Sequence, residues 1–129
     1  MISGINHYNL RAEPEMIEKL KDFYIDIVGL TLGDRPPFQN MGYWLYAGNK
    51  DVLHLSWSKN GIENKINVNS TFDHMAFSAQ NQSYFIAHLE KNQIQFTQRE
   101  VPEIGTQQIF FKDPAGNGIE LIFTRKSND

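Results

Sequence analysis

The order strand, helix, strand, strand, strand can be read twice along these 129 residues. A repeat of that kind decides the architecture before any local assignment does. In the first half, residues 2–10 alternate as a strand with His7 in its middle. Glu13-Pro14 opens a helix, with the proline at the first helical position, where its missing N–H costs nothing. Met16, Leu20, Phe23, Tyr24 and Ile27 recur at three- and four-residue steps as one apolar face, and Gly29 closes the helix as a left-handed cap. Residues 30–33 form a short strand, and Asp34-Arg35-Pro36-Pro37 a loop. Residues 42–47 and 51–57 are two further strands around the turn Gly48-Asn49-Lys50, and the second carries His54 between Leu53 and Leu55.

The pattern then restarts. Residues 72–79 form a strand with His74 near its middle, and residues 81–91 a helix whose apolar face is Tyr84, Phe85, Ile86 and Leu89. After the break at Asn92-Gln93 come strands over 94–98, 106–112 and 118–124, with a loop over 99–105. The last two strands flank Asp113-Pro114-Ala115-Gly116-Asn117-Gly118. There Pro114 presets φ, while Gly116 and Asn117-Gly118 tolerate positive φ. The expected organisation is a single α+β domain over 1–129, built of two βαβββ modules at about 1–57 and 72–124, with a polar linker over 58–71.

The repeat also aligns chemistry. His7 and His54 are 47 positions apart, and His74 and Glu120 are 46 apart. The first and last strand of each half therefore carry one metal-capable residue at nearly the same offset. Taken singly, each histidine reads as a satisfied core or surface residue, and Glu120 as the wet face of an edge strand. Taken together, His7, His54, His74 and Glu120 form a set of imidazole nitrogens and a carboxylate that suits one divalent ion: zinc, nickel, iron, manganese or cobalt. The fourth histidine, His88, falls on the second helix and reads as a solvent-facing residue.

Composition removes other chemistries. The chain has no cysteine, which excludes disulfides, thiolate metal sites and a cysteine nucleophile. A net charge of −3 without a basic run gives no footprint for nucleic acid. Neither a signal peptide nor an apolar stretch of spanning length is visible, so the expectation is a cytoplasmic protein with no membrane partner. Nine Phe, five Tyr and two Trp are a surplus of rings for so short a chain, and they suggest a homodimer. Trp44, Tyr46, Trp57 and Phe111 are expected to supply apolar wall or interface area.

Three segments carry a resemblance. Gly4-Ile5-Asn6-His7-Tyr8-Asn9-Leu10, Phe72-Asp73-His74-Met75-Ala76-Phe77 and Phe111-Lys112-Asp113-Pro114-Ala115-Gly116-Asn117-Gly118-Ile119-Glu120-Leu121 resemble the vicinal oxygen chelate superfamily. It includes glyoxalase I, extradiol dioxygenases, fosfomycin-resistance enzymes and bleomycin-resistance proteins. The resemblance implies curled mixed sheets that form a cup with a metal on its inner face. His7, His74 and Glu120 match the two-histidine, one-carboxylate ligand set of many members. His54 falls where glyoxalase I-like members carry a glutamate that binds metal and acts as a base. A neutral imidazole can fill either role near pH 7. His54 and Glu120 are thus the catalytic candidates.

Residues two positions from a ligand on a strand share its face, which makes Asn9, Ser56 and Phe72 the substrate-binding candidates. The expected function is a metal-dependent enzyme acting on a small substrate through vicinal oxygens, with glyoxalase-like lyase or isomerase chemistry. The alternatives are an extradiol dioxygenase-like or fosfomycin-modifying enzyme, a metal-free drug-binding protein of the bleomycin-resistance type, or a fold used only as a dimerisation scaffold.

Overall fold

The structure is a computed structural model and describes residues 1–37, 41–57, 59, 70–102 and 104–123. The linker expected over 58–71 lies almost wholly outside the described residues, as does Thr124. The chain divides into two compact units, Met1–Val68 and Asn69–Asp129.

The first unit runs β1 (Tyr8–Arg11), α1 (Pro14–Phe23), a π-helical turn (Tyr24–Val28), β2 (Thr31–Gly33), β3 (Met41–Ala47) and β4 (Lys50–Trp57). Its sheet has the order β1-β4-β3-β2, with β1 parallel to β4 and the other pairs antiparallel. The parallel pair requires a crossover, and α1 lies in that connection. Pro14 stands in the first turn of α1 as expected, and Ile17 and Leu20 are its buried residues. The helix then widens: the N–H groups of Gly29 and Leu30 both bond the Tyr24 carbonyl, and Gly29 adopts φ 97°. A left-handed glycine is what lets the chain leave the helix there. β4 alternates between a core face and a site face. Leu53 and Leu55, with Leu45 of β3, are fully buried, while His54 and Ser56 point the other way.

The second unit runs β5 (His74–Ser78), α2 (Gln82–Lys91), β6 (Thr97–Val101), β7 (Thr106–Lys112) and β8 (Gly118–Phe123), in the order β5-β8-β7-β6. Again the first and last strands are parallel. Asn81 caps α2 by accepting the Tyr84 N–H. Ile109, Phe111, Ile119, Leu121 and Phe123 form the buried face of β7 and β8, with the Phe85 ring of α2 5.9 Å from that of Phe123. The expected pair of four-stranded mixed sheets with two helices is therefore present.

Four details differ from the expectations. Residues 2–7 are not strand, so His7 lies just ahead of β1 instead of in its middle, and His74 opens β5. The strand expected over 94–98 is displaced to Thr97–Val101, part of the span read as a loop. Ile94 and Phe96 gave the apolar signal because they line a groove, while β6 itself is the polar edge sequence TQREV. In the β7–β8 turn Gly116 alone has positive φ, at 95°. Asn117 instead bonds Asp113. Oδ1 of Asp113 accepts from the Ala115 and Asn117 backbone N–H groups, and Oδ2 accepts from Asn117 Nδ2 at 2.8 Å. Both side chains are 5% exposed, so this turn is held by buried polar bonds that fix the register of β8 against β7.

Candidate functional site

The two units place their chemistry at equivalent points of the sheet. Asn9 is in register with His54, and His7 lies two residues before Asn9. Ala76 is in register with Glu120, and His74 lies two residues before Ala76. Each pair is thus a diagonal pair across the parallel first and last strands, within reach of long side chains. The next strand repeats the match: Trp44 faces His54 and Phe110 faces Glu120. The sequence offsets of 47 and 46 differ through the connections, not through the strands that carry the residues.

In the first unit, the His54 ring lies between two others. His7 stacks on it at 3.6 Å and 16°, and Trp44 at 4.1 Å and 10°. His54 Nε2 is 2.7 Å from Asp51 Oδ2. A carboxylate at that distance takes the N–H, which leaves Nδ1 with the free lone pair. The same bond lowers the Asp51 pKa. Burial, followed by the neighbouring His54, lowers the pKa of His7. Asn9 and Ser56 meet as expected for one face: Ser56 Oγ donates to Asn9 Oδ1 at 3.1 Å. Arg11 joins them, its Nε donating to Ser56 Oγ at 3.3 Å.

In the second unit, His74 Nε2 is 2.9 Å from Glu120 Oε1, and Nδ1 is 2.8 Å from Asp73 Oδ2. Carboxylate oxygens accept, so both ring nitrogens donate, which is the imidazolium form. The Asp73 hydrogen bond, and after it the charge of Glu120, raises the His74 pKa. Glu120 is 5% exposed, and its other oxygen accepts from Gln108 Nε2 at 2.8 Å. Gly118 opens β8 where a Cβ would overlap the Asp73 carbonyl oxygen, which allows β5 and β8 to bring the pair together. A groove of about 980 Å³ beside the pair is lined by residues that include Asp73, His74, Phe96, Thr97, Phe110 and Lys112.

Phe72 precedes β5 and is 38% exposed, so the strand alternation that would carry it to the face of His74 does not reach it. His88 stacks on Tyr84 along α2. Asp51, Arg11, Asp73 and Gln108 were missed from the sequence. Arg11 and Gln108 were within reach of the two-residue rule, as neighbours of Asn9 and of the Glu120 partner Phe110. Asp51 and Asp73 had no periodic signal.

The donor types suit a divalent metal ion, and the structure gathers them as two separate pairs, one in each unit. His74 and Glu120 are close together with a proton between them, and replacing that proton is how a metal enters such a pair. His7 and His54 are less ready. Nitrogen lone pairs lie in the ring planes and meet at a zinc ion near the tetrahedral angle. Rings stacked 16° from parallel do not aim that way, so one must turn. Among the described residues no group of three or more His, Asp or Glu is gathered closely enough to hold an ion.

The family model of the Glyoxalase/Bleomycin resistance protein/Dioxygenase superfamily matches residues 4–121. The chain belongs to this superfamily, whose members bind small molecules and often a divalent metal. No curated protein matches it. Among solved structures, a glyoxalase family protein from Bacillus anthracis is 23% identical with a TM-score of 0.75, over 97% of this chain and 98% of that one. Lactoylglutathione lyase from Agrobacterium tumefaciens is 22% identical with a TM-score of 0.66, over 95% and 94%. TnmS3, an antibiotic binding protein from Streptomyces sp. CB03234, is 20% identical with a TM-score of 0.66, over 95% and 97%. At these identities the likeness shows the fold. No helix among the described residues is long and apolar enough to cross a membrane.

Proposed function

We propose that the protein is a metal-dependent enzyme that acts on a small substrate through two vicinal oxygens, by glyoxalase-like lyase or isomerase chemistry. The observation that carries this is the equivalence of the two diagonal pairs, His7 with His54 and His74 with Glu120, at the same register in both sheets. Chance placement of polar residues has no reason to respect register. In this reading His7, His54, His74 and Glu120 hold one divalent ion and the two modules act together as a single domain. The ion, when bound, polarises the substrate oxygens and acidifies the adjacent carbon.

The remaining work falls to the chain. His54, with Nε2 held by Asp51, offers Nδ1 either to the ion or as a proton acceptor, the same orienting logic by which a carboxylate fixes a catalytic histidine. Glu120 is the second proton acceptor. Asn9 and Ser56, tied to each other and to Arg11, present polar groups that orient a substrate oxygen. Phe72, exposed just ahead of β5, is the third substrate-binding residue, as an apolar contact. A cytoplasmic homodimer is the form in which the protein acts, and sedimentation at micromolar concentration giving a monomer would count against the dimer.

The test is metal content followed by turnover. Protein prepared under metal-replete conditions is expected to hold about one equivalent, and His7→Ala and Glu120→Ala to lose it. Metal-loaded protein is then offered hemithioacetals of glutathione, and catechols as the dioxygenase alternative.

A second reading is metal-free binding of a drug-sized molecule. It is favoured by the stacking of His7, His54 and Trp44, which makes a column with planar ring faces at its ends instead of a converging donor set. A planar antibiotic bound equally well by wild type and Glu120→Ala, with less than about a tenth of an equivalent of metal, would establish this reading in place of the first.

A further inference from the structure

The groove beside His74 is built entirely from the second unit. Its volume of about 980 Å³ lies in the range in which proteins hold small organic molecules. Register gives it its shape. His74 of β5 and Lys112 of β7 are both partners of Gly118 on β8, so the two side chains rise on one face with a bare glycine between them. Adjacent strands lie about 4.8 Å apart, so this slot is about 10 Å across, enough to admit a flat ring. Phe110 lies on the same face, two residues from Lys112, with its ring edge-on to His74.

A second wall is set by the end of α2. There the Gln93 N–H bonds the Glu90 carbonyl at 3.1 Å, and the Ile94 N–H bonds the Leu89 carbonyl at 3.0 Å. This is a Schellman closure, and Gln93 takes its left-handed position at φ 58° without being glycine. Such a conformation persists where the surroundings hold it. Beyond it the chain lines the groove with Ile94 and Phe96, both half-buried.

The charges of the groove are uneven. His74 gives both ring N–H groups to carboxylates, those of Asp73 and Glu120. Asp73 is tied up in that bond, and its side chain is 92% exposed. Lys112 is exposed and, among the described residues, has no carboxylate partner. Thr97, in register with Phe110, adds a neutral hydroxyl. A guest therefore meets apolar walls, one ammonium group and one hydroxyl. That combination suits a flat apolar body with a single negative charge.

We infer that this groove binds an aromatic carboxylate, its ring against Phe96 and Phe110 and its carboxylate on Lys112 Nζ. The site needs no metal ion and no residue of the first unit, so it stands or falls apart from the metal-dependent reading.

The probe is 2-naphthoate, titrated into the full chain in EDTA and followed by calorimetry and amide NMR. A dissociation constant on the order of 0.1 mM is expected for a ligand of this size. The amides of Thr97, Lys112 and Gly118 should shift. The neutral isostere 2-naphthylmethanol should bind about tenfold more weakly, because it forfeits a charge-assisted hydrogen bond. Lys112→Met, at an exposed position that leaves the fold intact, should bring 2-naphthoate down to the affinity of the alcohol and change the alcohol by less than about twofold. Phe96→Ala should weaken both ligands about fivefold. Lys19→Met, at an exposed position on α1, removes the same charge from the first unit and should leave both within about twofold. Equal affinity of the wild type for acid and alcohol, or a Lys112→Met protein that keeps its preference for the acid, would overturn the carboxylate assignment. So would a loss in Lys19→Met as large as in Lys112→Met, since net charge would then explain both. Shifts confined to β3 and β4, or no binding of either ligand at millimolar concentration, would overturn the groove as the site.

Discussion

The two modules share a backbone register and differ in what they build on it. In the second, the histidine is bonded through both nitrogens to carboxylates, and its carboxylate partner is braced by Gln108. In the first, a histidine meets the face of a second histidine, with Trp44 on the far side and Asp51 at the edge. Duplicated strands thus fix where four side chains stand without fixing their electrostatics. One pair is charged and hydrogen-bonded, and the other is stacked.

The largest expected effect tests that asymmetry. Glu120→Ala and His74→Ala should each weaken Zn²⁺ binding by more than about 100-fold in calorimetric titration, whereas His7→Ala should cost about tenfold, since its ring must give up a stack before it can coordinate. Equal losses from both modules would break the comparison.

The turns come next. Asp113 and Asn117 form a buried, fully bonded turn in the second module, while Gly48-Asn49 in the first is exposed. Asp113→Ala leaves two backbone N–H groups and the Asn117 amide without their acceptor and should cost about 3 kcal/mol in urea unfolding. Asn49→Ala should stay within about 0.5 kcal/mol. A small effect at Asp113 would mean that the turn does not set the register that brings Phe110 opposite Glu120.

The smallest effect is a difference in sign with pH. His74 has its pKa raised, chiefly by the Asp73 hydrogen bond, so its contribution to stability is complete below about 6.5 and is lost as pH rises through the folded value. His7 has its pKa lowered, chiefly by burial, so its contribution is present above about 6.5 and is lost as pH falls through the folded value. The His74 side chain is 37% exposed and His7 is exposed as well, so solvent screening keeps either effect small. Imidazole resonances followed by NMR should titrate on opposite sides of the free-histidine value. Two midpoints on the same side would remove the electrostatic half of the comparison.

Much of this was legible in the sequence, for reasons that differ by residue. The closing hairpin could be read because Pro114 fixes its own φ, because Gly116 admits the positive φ a turn needs, and because Ile119 and Leu121 alternate with Glu120. The placement of Asn9 and Ser56 followed from strand alternation alone, and Arg11 and Gln108 obey the same rule. β6 escaped because an exposed edge strand carries no apolar alternation, and Ile94 and Phe96 gave a false signal from the groove beside it. The widening of the first helix over Tyr24–Val28 left no mark that separates it from an ordinary amphipathic end. Asp51 and Asp73 bond histidines three and one positions away in the chain, contacts that depend on side-chain rotamers and not on periodicity.

The central claim is that the two equivalent pairs serve one metal ion. Metal content per chain, measured on protein from metal-replete preparation beside Glu120→Ala, tests it most directly. The account predicts about one equivalent in the wild type and less than about a tenth in the variant. A wild type below that level, or a variant that keeps a full equivalent, would contradict it.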